Sequence, residues 1–277
     1  MKVWISSDME GVAGIVDWDQ CRPGSPNHAL GCALLLGEVN AAIEGAIAGG
    51  ATEIVLNDSH STMANLDPRL LAGGTRYLSG RHKPLYMMEG LDASFDAAFL
   101  VGYHGSISGA PSTLSHTYNP EVVAEARLGG LEVGESGINA LVAAHHSVPF
   151  ALVTGDEATW EQTAPFAPTA EHVTTKRSIT RGSAESLHPA ESCRRIRQAA
   201  ERAVVAVAAG RAEPPVIERP AVLELTLQTG DMAEVGSWVR GAERSAERRL
   251  RIAGDDLLGV YRAFVAVTYI TRQAGGR

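Results

Sequence analysis

The first eleven residues, MKVWISSDMEG, constrain this chain more than any other stretch. The apolar run Val3-Trp4-Ile5 leads into two acids spaced i, i+2 and then a glycine. On extended backbone, residues two apart project to the same side, so Asp8 and Glu10 can converge just past the carboxyl end of a first strand. Open α/β sheets bind their ligands in that crevice. Two carboxylates held close repel each other unless a proton or a cation lies between them. A cation would need further ligands from other strand ends; without them, the stretch is a loop bearing two solvated acids.

The following residues supply such strand ends. Gly24-Ser25-Pro26-Asn27 is turn chemistry, and Asn27 is placed to cap a helix over 29–48. Leu30, Leu34, Val39, Ile43 and Ile47 recur there at near-helical spacing, and Gly49-Gly50 closes the helix. A buried-type strand over 52–56 runs into Asn57-Asp58-Ser59-His60-Ser61. Strand, helix, strand is a βαβ unit, so the two strands are expected to be parallel with His60 at the same edge as the acids. A short edge strand is expected over 76–79. A third buried strand, over 97–103, ends on His104-Gly105. A small-residue loop over 105–112 and the extended stretch Leu114-Ser115-His116-Thr117-Tyr118 follow.

Gly129-Gly130 marks a hairpin over 125–133, and Gly134-Glu135-Ser136-Gly137 leads into a helix over 138–146. The rest reads as strands over 150–154 and 173–178, a helix near 158–163 and an amphipathic helix over 189–209. Beyond a proline-rich linker at 213–220, strands are expected over 221–228 and 248–252, with a closing helix over 255–273. The expected architecture is a three-layer α/β/α domain with a mostly parallel central sheet over 1–212. A smaller C-terminal α/β subdomain is expected over 213–277.

Net charge sets limits on partners. The formal charge of −8, with no basic stripe, argues against nucleic acid. Cys21, Cys32 and Cys193 are sparse and odd in number, which suits a reducing cytoplasm rather than a disulfide framework. No signal peptide is visible. No stretch reads as a membrane span; the nearest, 199–209, is short and carries Glu201 and Arg202.

Asp8, Glu10, His60, His104 and Glu135 thus form a candidate ligand set at strand ends and a helix start. Mixed imidazole and carboxylate ligands suit zinc, with manganese or cobalt as alternatives. Three carboxylates and two histidines exceed one tetrahedral site and fit two metals sharing a bridging carboxylate, about 3.5–4 Å apart. Both histidines have small or polar neighbours (DSHS and GYHG), which favours rings that reach into a cleft.

The ordered motifs SSDMEGVAGI, NDSHSTMANL, MMEGLD, VGYHG, LSHTY and VGESGINA resemble the D-aminopeptidase DppA family of zinc metallopeptidases. The likeness runs to about Ser186 and continues more faintly to the carboxyl end. It implies that Asp8, Glu10, His60, His104 and Glu135 bind two zinc ions, with Asp8 bridging, and that His116 is the catalytic residue. It further implies short peptide substrates with amino-terminal D-residues such as D-Ala. A large ring-like homo-oligomer is also implied, a decamer being one form. Ser136 departs from the family pattern, which has leucine after the glutamate, so packing beside Glu135 is expected to differ.

Two cations can polarise a scissile carbonyl and acidify water. His116 has no ligand role in that scheme, which leaves it for proton transfer or direct attack. Of these, proton shuttling or oxyanion stabilisation is the more ordinary chemistry. Asp58 could orient a ligand histidine or close an Asx turn, and Asn139, one helical turn after Glu135, could face the site. Other two-metal hydrolases (an L-aminopeptidase, amidase, deacylase or phosphoesterase) and a non-catalytic metal scaffold are the competing readings. No arginine flanks the proposed ligands in sequence, which weighs against phosphoester chemistry.

Overall fold

The computed structural model describes residues 1–274. In chain order, the first elements are β1 (Lys2–Ser7), α1 (Trp18–Cys21), α2 (His28–Ala48), β2 (Glu53–Asp58), β3 (Arg76–Leu78) and β4 (Ala97–Tyr103). Next come β5 (Val123–Leu128), β6 (Leu131–Glu132), α3 (Glu135–His146), β7 (Phe150–Asp156), α4 (Glu157–Thr163), β8 (Glu171–Thr180), β9 (Ser183–Ser186) and α5 (Pro189–Ala208). The last are β10 (Ala221–Leu227), α6 (Gly230–Gly236), β11 (Ala242–Ala246), β12 (Arg249–Gly254) and α7 (Leu257–Ala274).

The central sheet has seven strands in the order β3-β2-β1-β4-β7-β8-β9. All its pairs are parallel except β8 with β9. Its inner strands are apolar on both faces, as a sheet covered on both sides must be. Val3, Ile5, Phe99 and Val101 face one way and pack with Leu35, Val39, Ile43, Ile196 and Ala203 of α2 and α5. Trp4, Ala98 and Leu100 face the other way and join Ile138 and Leu141 of α3, Phe264 of α7 and Leu223 of β10.

Asn27 stands at the N-cap of α2, but its side chain does not cap the helix; its amide donates to Asp19 instead. α2 also corrects the expectation that no stretch is long and apolar enough to span a membrane. It has 21 residues, and its most apolar 18 have a mean hydropathy of 1.5. Its buried face, with Leu35, Val39 and Ile43, instead packs on α5 and the sheet, and buried Glu38 accepts from Ala13 and Ser192.

A second, five-stranded sheet has the order β11-β12-β10-β5-β6 and is antiparallel. Three of its strands follow the proline-rich segment at 213–220. The β5–β6 hairpin precedes it, so strand pairing crosses residue 212.

Two glycines bring β1 and β4 unusually close at their carboxyl ends. Asp8 N–H donates to Val101 and Gly11 N–H to Gly102, both at 2.8 Å. A Cβ on Gly11 would lie 1.7 Å from the Tyr103 carbonyl oxygen, and one on Gly102, whose φ is +75°, would lie 2.2 Å from that of Asp8. Only residues without a side chain fit both places.

Candidate metal centre

The sequence-predicted site residues converge on one place, and all but His104 line one cleft. Asp8 and Glu10 lie in the loop after β1, His60 after β2, His104 after β4, and Glu135 is the first residue of α3. All five are buried. The β1–β2 and β1–β4 pairs are parallel and in register, which sets the three strand ends side by side. His116 joins from the loop after β4 rather than from a strand, between Leu114 (φ +54°) and Tyr118 (φ +60°).

The three imidazoles share one arrangement. His60 uses Nε2 to donate to the Cys21 carbonyl at 2.8 Å. His104 and His116 use Nδ1 to donate to the carbonyls of Gly105 (2.9 Å) and Leu114 (3.0 Å). A carbonyl can only accept, so each bond fixes a proton on the outer nitrogen and turns the other nitrogen toward the acids. His60 Nδ1 lies 3.2 Å from Asp8 Oδ1 and 3.0 Å from Glu10 Oε2. His104 Nε2 lies 3.4 Å from Asp8 Oδ2 and 3.8 Å from Glu135 Oε2. His116 Nε2 lies 3.5 Å from Glu135 Oε1.

Asp8 therefore stands between His60 on one side and His104 with Glu135 on the other. Asp8 Oδ2, both Glu10 carboxylate oxygens and His104 Nε2 are buried without a hydrogen-bond partner. Buried polar atoms are nearly always satisfied, so four inward-facing orphans of ligand type are the signature of a place shaped for cations. Asp8, Glu10 and His104 offer ligand atoms within 4.8 Å of one another, as do His104, His116 and Glu135. Cys21 makes a third such group with Glu10 and His60; a lone cysteine without motif spacing gave no sequence signal for it.

Electrostatics show the same crowding. Burial, reinforced by Glu10, raises the Asp8 carboxyl above its ordinary range. Burial, reinforced by Asp8, lifts Glu135 to about 8. Glu10 goes the other way: burial opposes ionisation, but His60 and its neighbours outweigh it and hold the group well below normal. His60 is raised despite burial because Glu10 and Asp8 flank it. Burial and then His104 draw His116 down to about 3, so its ring is neutral.

Neighbouring groups hold the ligand loops. Asp58 does not touch the His60 ring. Its carboxylate accepts from Asn65 N–H (2.6 Å), the Asn65 amide (2.8 Å) and Leu66 N–H (3.2 Å), closing the loop that carries His60. Lys83 fastens the same loop by donating to Asn57 and the Asp58 carbonyl. Buried Lys176 fastens the other, donating to the carbonyls of Glu10, Val12 and Ile15. Asn139 bonds Tyr118 and Tyr103 behind the cleft, and Ser136 accepts from Thr163 of α4. The cleft wall also carries Arg22, Arg81 and Arg272; these are far from the ligands in sequence, which is why flanking residues gave no hint of them.

Fold and site define the class: an α/β enzyme with an acid–histidine centre at the carboxyl edge of a parallel sheet. A sequence model of the family described as D-aminopeptidase matches residues 1–266. The D-aminopeptidase of Bacillus subtilis (strain 168) is 31% identical over 271 residues, covering 97% of both chains. A solved structure described as the Zn-dependent D-aminopeptidase DppA from Bacillus subtilis, a self-compartmentalizing protease, matches with a TM-score of 0.90. It is 29% identical and the match covers 99% of this chain and 98% of that one. This chain belongs to the D-aminopeptidase family.

Proposed function

We propose that this protein is a zinc-dependent aminopeptidase that removes amino-terminal D-residues, such as D-Ala, from short peptides. Asp8, Glu10, His60, His104 and Glu135 would hold two zinc ions, Asp8 being the ligand they would share, and His116 is the catalytic residue. The observation that carries this reading is the set of four buried, unpartnered ligand atoms facing one another around Asp8. The family relationship supplies the D-specificity and the identity of the metal.

Bound zinc would supply Lewis-acid polarisation of the scissile carbonyl and acidification of water. His116 handles the proton. Its Nδ1–H is tied to Leu114, which leaves the Nε2 lone pair facing the cleft beside Glu135. That nitrogen takes a proton from the attacking water as the C–O bond forms, then returns it to the leaving amine as the C–N bond breaks. Trp18 packs against the His116 ring at 5.6 Å and helps fix its plane.

A ring-like homo-oligomer, such as a decamer, is part of the proposal, supported by the self-compartmentalizing relative. So is a cytoplasmic location, supported by three free cysteines among the described residues. A two-unit organisation at 1–212 and 213–277 is proposed as well, with the β5–β6 hairpin contributed by the first unit to the sheet of the second.

The test pairs metal analysis of the purified protein with cleavage of D-Ala-D-Ala and L-Ala-L-Ala. Two zinc per chain and chelator-reversible cleavage of the D-dipeptide are expected. Preference for the L-dipeptide, or full activity in chelator, overturns the reading.

A further inference from the structure

The cleft changes character from floor to rim. Asp8, Glu10 and Glu135 lie at the bottom of a cavity of about 270 Å³, and Arg22, Arg81 and Arg272 line the same cavity. The three arginines come from separate places: the residue after α1, the segment after β3, and the last turn of α7. Arg22 sets its guanidinium 5.4 Å from the Trp18 ring centroid. Arg81 and Arg272 have no such partner, and neither forms an ion pair or side-chain hydrogen bond among the described residues.

Surface arginines are ordinary. These two differ because separate elements bring them to one concave site. Tyr86 lines the cavity with both, its phenol held high by burial. Its ring stacks on Tyr118 at 5.3 Å, and both tyrosines line the cavity. Glu121 lies on the same rim and is paired with neither arginine.

We propose that Arg81 and Arg272 anchor the free carboxylate of a short peptide whose amino end lies on the floor of the cleft. The proposal rests on the aminopeptidase reading above. A planar guanidinium fork matches a carboxylate in shape and charge. The anchor also solves a problem of orientation: a cation centre attracts a substrate's terminal carboxylate as well as its scissile carbonyl. Guanidiniums at the rim hold the carboxylate away from the floor and leave the scissile bond there. The volume is at the small end for ligand sites, so floor and rim together measure out a di- or tripeptide. Amides, esters and the interior of a longer chain lack the anchored group.

The test compares D-Ala-D-Ala with its carboxyl-terminal amide on the zinc-loaded protein. The acid is expected to have a KM about tenfold lower, the scale of two partly exposed charge-assisted contacts. In the double variant R81Q/R272Q the ratio of the two KM values falls toward one, and R81K/R272K restores part of it. Equal KM values in the parent protein, or a ratio unchanged in the double variant, overturn the anchor. The reduced-peptide-bond isosteres of the acid and the amide, bound in a calorimeter, repeat the comparison without turnover. If neither peptide is cleaved but isostere binding still depends on the carboxylate and both arginines, the activity reading fails and the anchor stands. Isostere binding indifferent to both overturns the anchor.

Discussion

His116 stacks on His104, with ring centroids 4.3 Å apart and planes 23° from parallel. The two rings enter from one loop between β4 and β5, and each is tied by Nδ1 to a backbone carbonyl. The proposed ligand histidine thus packs on the proposed proton carrier. His116→Ala is expected to lower kcat by about 10²–10⁴-fold, the usual worth of a positioned acid–base group. Zinc content by elemental analysis is expected to stay at the parent value. Full activity with full metal would remove His116 from the mechanism.

Asp8 is the one carboxylate that meets both His60 and His104. A metal that binds only the folded state stabilises it, by about 4 kcal/mol when free metal is a thousand times Kd. Chelation is therefore expected to lower Tm by several degrees, and zinc to restore it. Asp8→Asn is expected to abolish that response and bind less than one zinc per chain. A variant that still shows the parent zinc-dependent Tm shift would contradict a shared ligand at this position.

Lys176 reaches the same loop from behind. Its ammonium satisfies the carbonyls of Glu10, Val12 and Ile15. Lys176→Met removes the donor and strands three inward carbonyls, at about 1–3 kcal/mol for each that stays unsatisfied. The expected result is a loss of several kcal/mol in denaturant unfolding together with weaker zinc binding. Unchanged zinc affinity in a destabilised protein would confine Lys176 to a packing role.

Glu38 gives the chain a pH dependence away from the metal centre. Burial lifts its carboxyl from 4.5 to about 7. Between those values the unfolded chain releases this proton and the folded one keeps it. This share of stability is therefore complete below pH 4.5 and falls as pH rises toward 7, by about 3 kcal/mol. Above that it is flat. Glu38→Gln keeps an acceptor for Ala13 and Ser192 and is expected to remove that fall. Denaturant unfolding of both proteins at pH 5 and pH 8 measures it; equal pH slopes would refute the assignment.

The sequence announced β1, β2, β4 and β7 because strands buried on both faces are written as unbroken apolar runs. The candidate ligands of the first three strands were legible for a related reason: Asp8, Glu10, His60 and His104 follow the ends of such runs, whereas Glu135 opens a helix. Four elements lie outside the sequence expectations, the first being α1, a single turn over Trp18–Cys21. β9 (SAES) and β11 (AERSA) are short and polar, and their strand character comes from pairing with β8 and β12. α6 is brief and contains two glycines. The sequence predicts a helix from 138, whereas α3 begins at Glu135; Gly137 reads as a breaker, but packed against Val133 and Phe166 it allows a close approach instead. His116 reads as extended, whereas two non-glycine residues at positive φ bend its loop into the cleft. No local pattern encodes that bend. Nor could local pattern join Lys176 to Glu10 or bring Arg272 to the cavity that Arg81 lines, since both depend on the sheets closing.

Gly11 and Gly102 lock the first acidic loop against the neighbouring strand with no space for even a methyl group. A distant chain could therefore retain every acid and imidazole named above and still be inert, having acquired an alanine at either place. For sorting working enzymes from look-alikes, two bare α-carbons are as diagnostic as the residues that would grip the ions.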